Sequence, residues 1–258
     1  MSAGGAEKSV SGAEMKTQVV LSVDIASKVY GAGGPEPVEA VRNLAFSIEP
    51  GEIACLIGPS GAGKTTTLRI LLGLDHAYTG SVTPDPAEAG IAMVFQEPRL
   101  LPWRSVEHNV RLALPRAERG RDLDALFASL GLTPWRTRYP GALSLGMARR
   151  VALARALALE PRILILDEPF VSLDDTAAAA LRALVVESVT RAGMSVLMVT
   201  HNVGEAIEIA DRLLLVSARP ASLIAAVPLD RPRRERDRSW VESQRAALAS
   251  RYPGVIAG

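Results

Sequence analysis

The chain has 258 residues, enough for one large domain or a main domain with a smaller insertion. Hydrophobic residues make up 48% and aromatics only 4%, so the core is built of Leu, Ile, Val and Ala rather than rings. Lys plus Arg number 29 against 28 for Asp plus Glu, and the net charge of +1 argues against a nucleic-acid partner.

Residues 1–17 are rich in Gly, Ser and Ala and lack the apolar block of a signal peptide, so they read as a disordered leader. Short apolar runs bounded by turn residues follow at 53–57, 91–95, 163–166, 196–199 and 213–216. They are rich in Ile, Leu and Val without alternation, as in strands covered on both faces of a largely parallel sheet. Cys55 lies in the first run and reads as a buried strand residue; as the single cysteine it excludes an intramolecular disulfide and fits a reducing compartment. Helical patterns at 65–74, 147–159 and 176–191 lie between the runs, and the alternation predicts an α/β fold. From 107 to about 138 the apolar spacing is helical with no strand-like break. A helical insertion spanning about 98–150 is the simplest account.

Residues 230–238 carry five arginines against three acids. They read as a solvated connector at the start of a C-terminal segment, 229–258, that ends in a helix at 239–250. No apolar stretch reaches the ~18 to 20 residues that span a bilayer. The expectation is a soluble, cytoplasmic protein that reaches a membrane only through a partner.

Gly58, Pro59, Ser60, Gly61, Ala62, Gly63, Lys64 and Thr65, with Thr66 behind them, follow an apolar strand and open a helix. That is the context of a phosphate-binding loop. The glycines let the backbone turn its N–H groups inward, and the helix adds its positive end. Lys64 supplies a mobile charge for β- and γ-phosphates, and the Thr65 hydroxyl can ligate Mg²⁺. The apolar run 163–166 delivers two carboxylates, Asp167 and Glu168, to the sheet edge where ligands bind. Asp167 is placed to hold Mg²⁺, and Glu168, on the other side of the strand, to orient and deprotonate water.

Between these motifs, Leu143, Ser144, Leu145, Gly146 and Met147 precede an Arg-rich helix. The segment resembles the signature of the ATP-binding-cassette (ABC) ATPases, usually Leu-Ser-Gly-Gly-Gln. The resemblance runs from about 19 to 216 and implies the P-loop NTPase (RecA-like) fold: a mostly parallel sheet core, an antiparallel β part and a helical insertion, over about 18–228. It also implies ATP and Mg²⁺ as ligands. It assigns Gln96 to the nucleotide and Mg²⁺, Ser172 to Asp174 to the loop after the carboxylates, His201 to the γ-phosphate and Tyr30 to adenine. Two copies would pair head to tail, with Ser144 and the Gly146 amide of one meeting the γ-phosphate held by Lys64 of the other. Leu145 and Met147 depart from the family pattern. Leu disfavours positive φ, so position 145 is expected to have ordinary backbone conformation.

The segment from Phe95 to Val110 contains Gln96-Glu97-Pro98, Leu100-Leu101-Pro102-Trp103 and Asn109-Val110. It resembles the corresponding loop of the nitrate/sulfonate/taurine importer ATPases. This implies an ATPase subunit on the cytoplasmic face of the inner membrane that grips a permease through Arg99, Leu100, Leu101 and Trp103 and acts indirectly with a substrate-binding protein. The solute expected is a small anion such as a sulfonate, taurine or nitrate. Two alternatives stay open: a lipid-trafficking ABC complex, suggested by the segment from Gly146 to Arg150 and by Phe170-Val171-Ser172, and a soluble non-transport ABC ATPase.

Overall fold

The computed structural model describes residues 19–256, so the expected leader at 1–17 lies outside the described residues. The chain opens with two long antiparallel strands, β1 (Leu21–Tyr30) and β2 (Val38–Ile48). Next come β3 (Ile53–Ile57), α1 (Lys64–Leu71), β4 (Thr79–Thr83) and β5 (Ile91–Val94). A helical stretch holds α2 (Val106–Arg111), α3 (Asp124–Ser129) and α4 (Leu145–Leu157). Then β6 (Ile163–Asp167), α5 (Asp175–Ala192), β7 (Ser195–Thr200), α6 (Val203–Ile209) and β8 (Arg212–Val216) alternate. The chain closes with β9 (Leu223–Pro228), α7 (Arg238–Arg251) and α8 (Pro253–Ile256).

Two sheets form. The larger has the order β5-β6-β7-β3-β8-β9, parallel except for β9, which runs antiparallel to β8; the smaller is antiparallel, β2-β1-β4. The five apolar runs are the five parallel strands, covered on both faces, with only the edge strand β5 left half-buried on one of them. Ile53, Cys55 and Ile57 pack toward the helices, whereas Ala54 and Leu56 pack toward the small sheet and α1. A strand with two covered faces has no polar side, hence the unbroken hydrophobicity.

The stretch between β5 and α4 is less helical than its spacing suggests. Two six-residue helices are joined by single 3₁₀ turns. Pro115, Gly120, Gly131 and Pro134 interrupt the pattern at those turns. The charged connector is also more anchored than a solvated run. Arg236 donates to the carbonyls of Ile207 and Ala210 at 2.8 and 2.6 Å, closing the end of α6, and its guanidinium lies 5.4 Å from the Trp240 ring.

Candidate functional site

The C-terminal ends of β3, β5, β6 and β7 meet along one edge of the large sheet, where open parallel sheets hold ligands. A cleft of about 300 Å³ lies there. Ser60 to Thr66 from the loop after β3, Gln96 beyond β5, and Asp167 and Glu168 at the end of β6 line it. The loop needs its glycines sterically. Gly63 caps α1 at φ 110°, and a Cβ on it would lie 2.4 Å from the Ala40 carbonyl oxygen. A Cβ on Gly58 would lie 2.5 Å from Val216 Cγ2. No side chain caps α1 and no acid occupies its first turn, so its positive end faces the cleft uncompensated.

Lys64 is buried, and its Nζ donates to the Gly58 and Pro59 carbonyls at 2.6 and 2.9 Å, which holds the ammonium across the loop. Burial lowers its pKa from the ordinary lysine value, while Glu168 and Asp167 pull in the opposite direction. Burial raises the pKa of the Asp167 carboxyl; the Glu168 charge adds to this and Lys64 opposes it. Two carboxylates facing one ammonium favour an added cation. The Thr65 hydroxyl, the Asp167 carboxylate and the Gln96 amide line the same cleft and are hard oxygen donors suited to Mg²⁺.

Strand alternation does not aim Glu168. β6 ends at Asp167, and Glu168 itself takes the left-handed conformation, φ 45°, its amide donating to Val199 O at 2.8 Å. Its carboxylate is then fixed from β7. Oε2 accepts from Thr200 Oγ1 at 3.2 Å, and Oε1 accepts from the His201 amide at 3.1 Å and lies 2.7 Å from His201 Nδ1. Thr200 was not singled out in the sequence, although a hydroxyl closing the apolar run of β7, fully buried, was a legible sign.

Tyr30 approaches from the small sheet: its hydroxyl is 3.4 Å from Thr66 Oγ1 and 3.3 Å from Asp75 Oδ2. Lys28, almost fully buried, sits 4.5 Å from the Tyr30 ring centroid and pairs with Asp75 at 2.6 Å. Ser144 and Gly146 are not among the cleft residues. They stand at the start of α4, where Ser144 Oγ accepts from the Met147 amide at 3.3 Å. Leu145 is the first helical residue there, with no positive φ and 42% of its surface exposed.

Beyond Gln96 the loop is held from two helices. Arg155 of α4 donates to the Pro98 and Arg99 carbonyls at 2.8 and 3.0 Å. Buried Asn109 of α2 accepts from the Leu101 amide at 2.7 Å and donates to the Leu101, Arg104 and Ser105 carbonyls. Leu100 packs on the core, whereas Trp103 is 68% exposed and does not pack the insertion's own interior.

Known proteins resemble this chain in sequence and in fold. The ABC transporter family profile matches residues 41–171. An aliphatic sulfonates import ATP-binding protein of Burkholderia cenocepacia is 39% identical over 242 residues, covering 90% of this chain and 87% of that protein. One from Pseudomonas savastanoi pv. phaseolicola is 41% identical, covering 84% and 91%. The dimeric ATP-binding cassette MJ0796, in a post-hydrolysis state bound to ADP and Pi, superposes with a TM-score of 0.68 at 27% identity, covering 82% of this chain and all of that one. Profile, sequence relatives and fold agree: this chain belongs to the ABC transporter family, as an ATP-hydrolysing subunit.

Proposed function

We propose that the protein is the ATPase subunit of a membrane importer for small sulfonates, lying peripherally on the cytoplasmic face and hydrolysing ATP between two copies of itself. The observation that carries the hydrolytic reading is the single cleft combining Lys64, Thr65, Gln96, Asp167 and Glu168, with Glu168 hydrogen-bonded to His201. The importer reading draws on the sulfonate-import relatives, and Trp103 offers a permease an exposed aromatic anchor.

The roles follow from position. The amides of Gly58 to Thr65 and the end of α1 hold the triphosphate, with Lys64 on its outer phosphates. Tyr30 stacks on the adenine. Thr65, Asp167 and Gln96 would hold Mg²⁺, which supplies charge neutralisation on the phosphate oxygens. Water attacks the γ-phosphorus, its proton passes to the Glu168 carboxylate, and the bond to the ADP oxygen breaks. Thr200 and the His201 amide orient that carboxylate, and His201 faces the γ-phosphate. Ser144 and Gly146 of a second copy close the site from outside, since they lie apart from their own chain's cleft.

Glu168→Gln tests the mechanism. It is expected to bind ATP with unchanged affinity and to lower kcat by about 10² or more, the scale of a general base. Turnover at the parental rate would remove Glu168 from that role. Reconstitution with the cognate membrane subunits and binding protein tests the cargo: aliphatic sulfonates should stimulate hydrolysis, and stimulation by phospholipid alone would sink the importer reading.

A further inference from the structure

We infer that Arg149 is a positioning residue for hydrolysis, holding the backbone from which Glu168 projects. The inference rests on the reading of Glu168 as the base.

Arg149 lies on α4, one and a half turns from Ser144, and is 4% exposed. Its guanidinium makes no ion pair among the described residues; it is spent on three carbonyls of one loop. Nη1 donates to Glu168 O at 3.0 Å and to Pro169 O, and Nη2 donates to Val171 O at 2.6 Å. That loop leaves β6, turns through the left-handed Glu168 and reaches a second left-handed residue, Ser172, at φ 62°. Two non-glycine residues in that region within five positions persist only if their surroundings hold them. A planar fork with fixed donor directions can bind carbonyls at 168, 169 and 171 together; a lysine ammonium, a point charge on a flexible stem, cannot fix the same three directions.

Packing alone does not explain the residue. Arg149 Nε is buried with no acceptor. An apolar side chain would fill the space without an orphaned donor, but it could not tie the carbonyls. The grip also joins two parts of the ATPase cycle. The helix whose first turn presents Ser144 and Gly146 toward a second copy is the helix that fixes the backbone of its own Glu168. Small displacements matter here, because an error of about 1 Å at a reacting group costs on the order of a hundredfold in rate.

The test is ATP hydrolysis by the full chain carrying Arg149→Met or Arg149→Lys, each alone and combined with Glu168→Gln. Fluorescent-nucleotide binding and thermal unfolding are measured in parallel. The expected result is a kcat lowered at least about tenfold with nucleotide affinity within about twofold. In the Glu168→Gln background the same changes should lower the residual rate no further, since the group they position is gone. If Arg149→Met does not fold, Arg149→Lys, which keeps the buried charge, carries the same measurements. Parental kcat in Arg149→Lys and Arg149→Met, or an equal loss in both backgrounds, overturns the proposal. Full turnover by Glu168→Gln alone overturns it differently, by removing the base itself.

Discussion

Lys28 and Asp75 show how much one pair of side chains fixes beside the nucleotide cleft. Lys28 Nζ bonds Asp75 Oδ1 at 2.6 Å and Ala77 O at 2.9 Å, and lies under the Tyr30 ring, whose hydroxyl reaches Asp75. The Lys28 hydrogen bond is the largest influence holding the Asp75 carboxyl below its ordinary value; partial burial opposes it. A depressed carboxylate contributes stability that is complete above the unfolded pKa of about 3.9 and is lost as pH falls through the folded value. Asp75→Asn is therefore expected to cost about 2 kcal/mol near neutral pH, where a buried ammonium loses its counter-charge. In urea titrations the gap between parent and variant should hold from pH 7 down to about 4 and narrow only below that. A gap independent of pH would show that the charge of Asp75 adds nothing.

Arg149 sets the limit of sequence reading at this scale. It occupies the same helical stripe as Leu153 and Ala156, all buried, so an arginine in an apolar face was visible. Its acceptors were not, because they are main-chain carbonyls presented by a loop whose left-handed turns no residue type announces.

Among elements, the parallel strands were legible from the residues, and the antiparallel ones entered only through the family resemblance. β3, β6 and β7 are covered on both faces and so read as unbroken apolar runs. β1 alternates buried and exposed positions from Leu21 to Ile25, and β9 alternates half-buried with exposed, a weaker mark that needs a period of two to be looked for. α6, at seven residues, is too short to show a helical face.

The loop after Gln96 combines both lessons. Its apolar residues stood out in the sequence, but Arg155 and Asn109, which hold it by its backbone, became clear only from the fold. The loop is thus a shaped platform with Trp103 at its tip. Trp103→Ala should leave hydrolysis by the isolated subunit within about twofold of the parent, since the ring is solvent-exposed and outside the cleft. Its copurification with the membrane subunits should fall at least about tenfold, the scale of an interfacial aromatic hot spot. Undiminished copurification would place the permease contact elsewhere.

At the scale of the molecule, the proposed mechanism makes the cleft half of a site. Its phosphate loop, Gln96 and carboxylates sit together because four strands end on one edge, and spacing plus chain order made that half readable. The proposed other half, Ser144 and Gly146 of a second copy, stands outside its own chain's cleft at the start of α4. Gly146 is informative through what it does not touch. A Cβ there would meet Ala177 Cβ at 3.5 Å and nothing closer, ordinary van der Waals contact, and the residue is in the first turn of a helix without positive φ. Inside one subunit, alanine would therefore be tolerated, and by helix propensity favoured by about 0.5–1 kcal/mol. Any demand for glycine must come from a surface that packs against α4 from outside. Gly146→Ala is expected to keep or raise the melting temperature and to bind ATP at the Lys64 side normally. ATP-driven dimerisation, measured by light scattering in the Glu168→Gln background, should weaken at least about tenfold, because one methyl intrudes where a second copy's phosphate must approach main-chain amides. Unchanged dimerisation would mean that α4 does not close on nucleotide through Gly146, and the sandwich would have to be built on Ser144 alone.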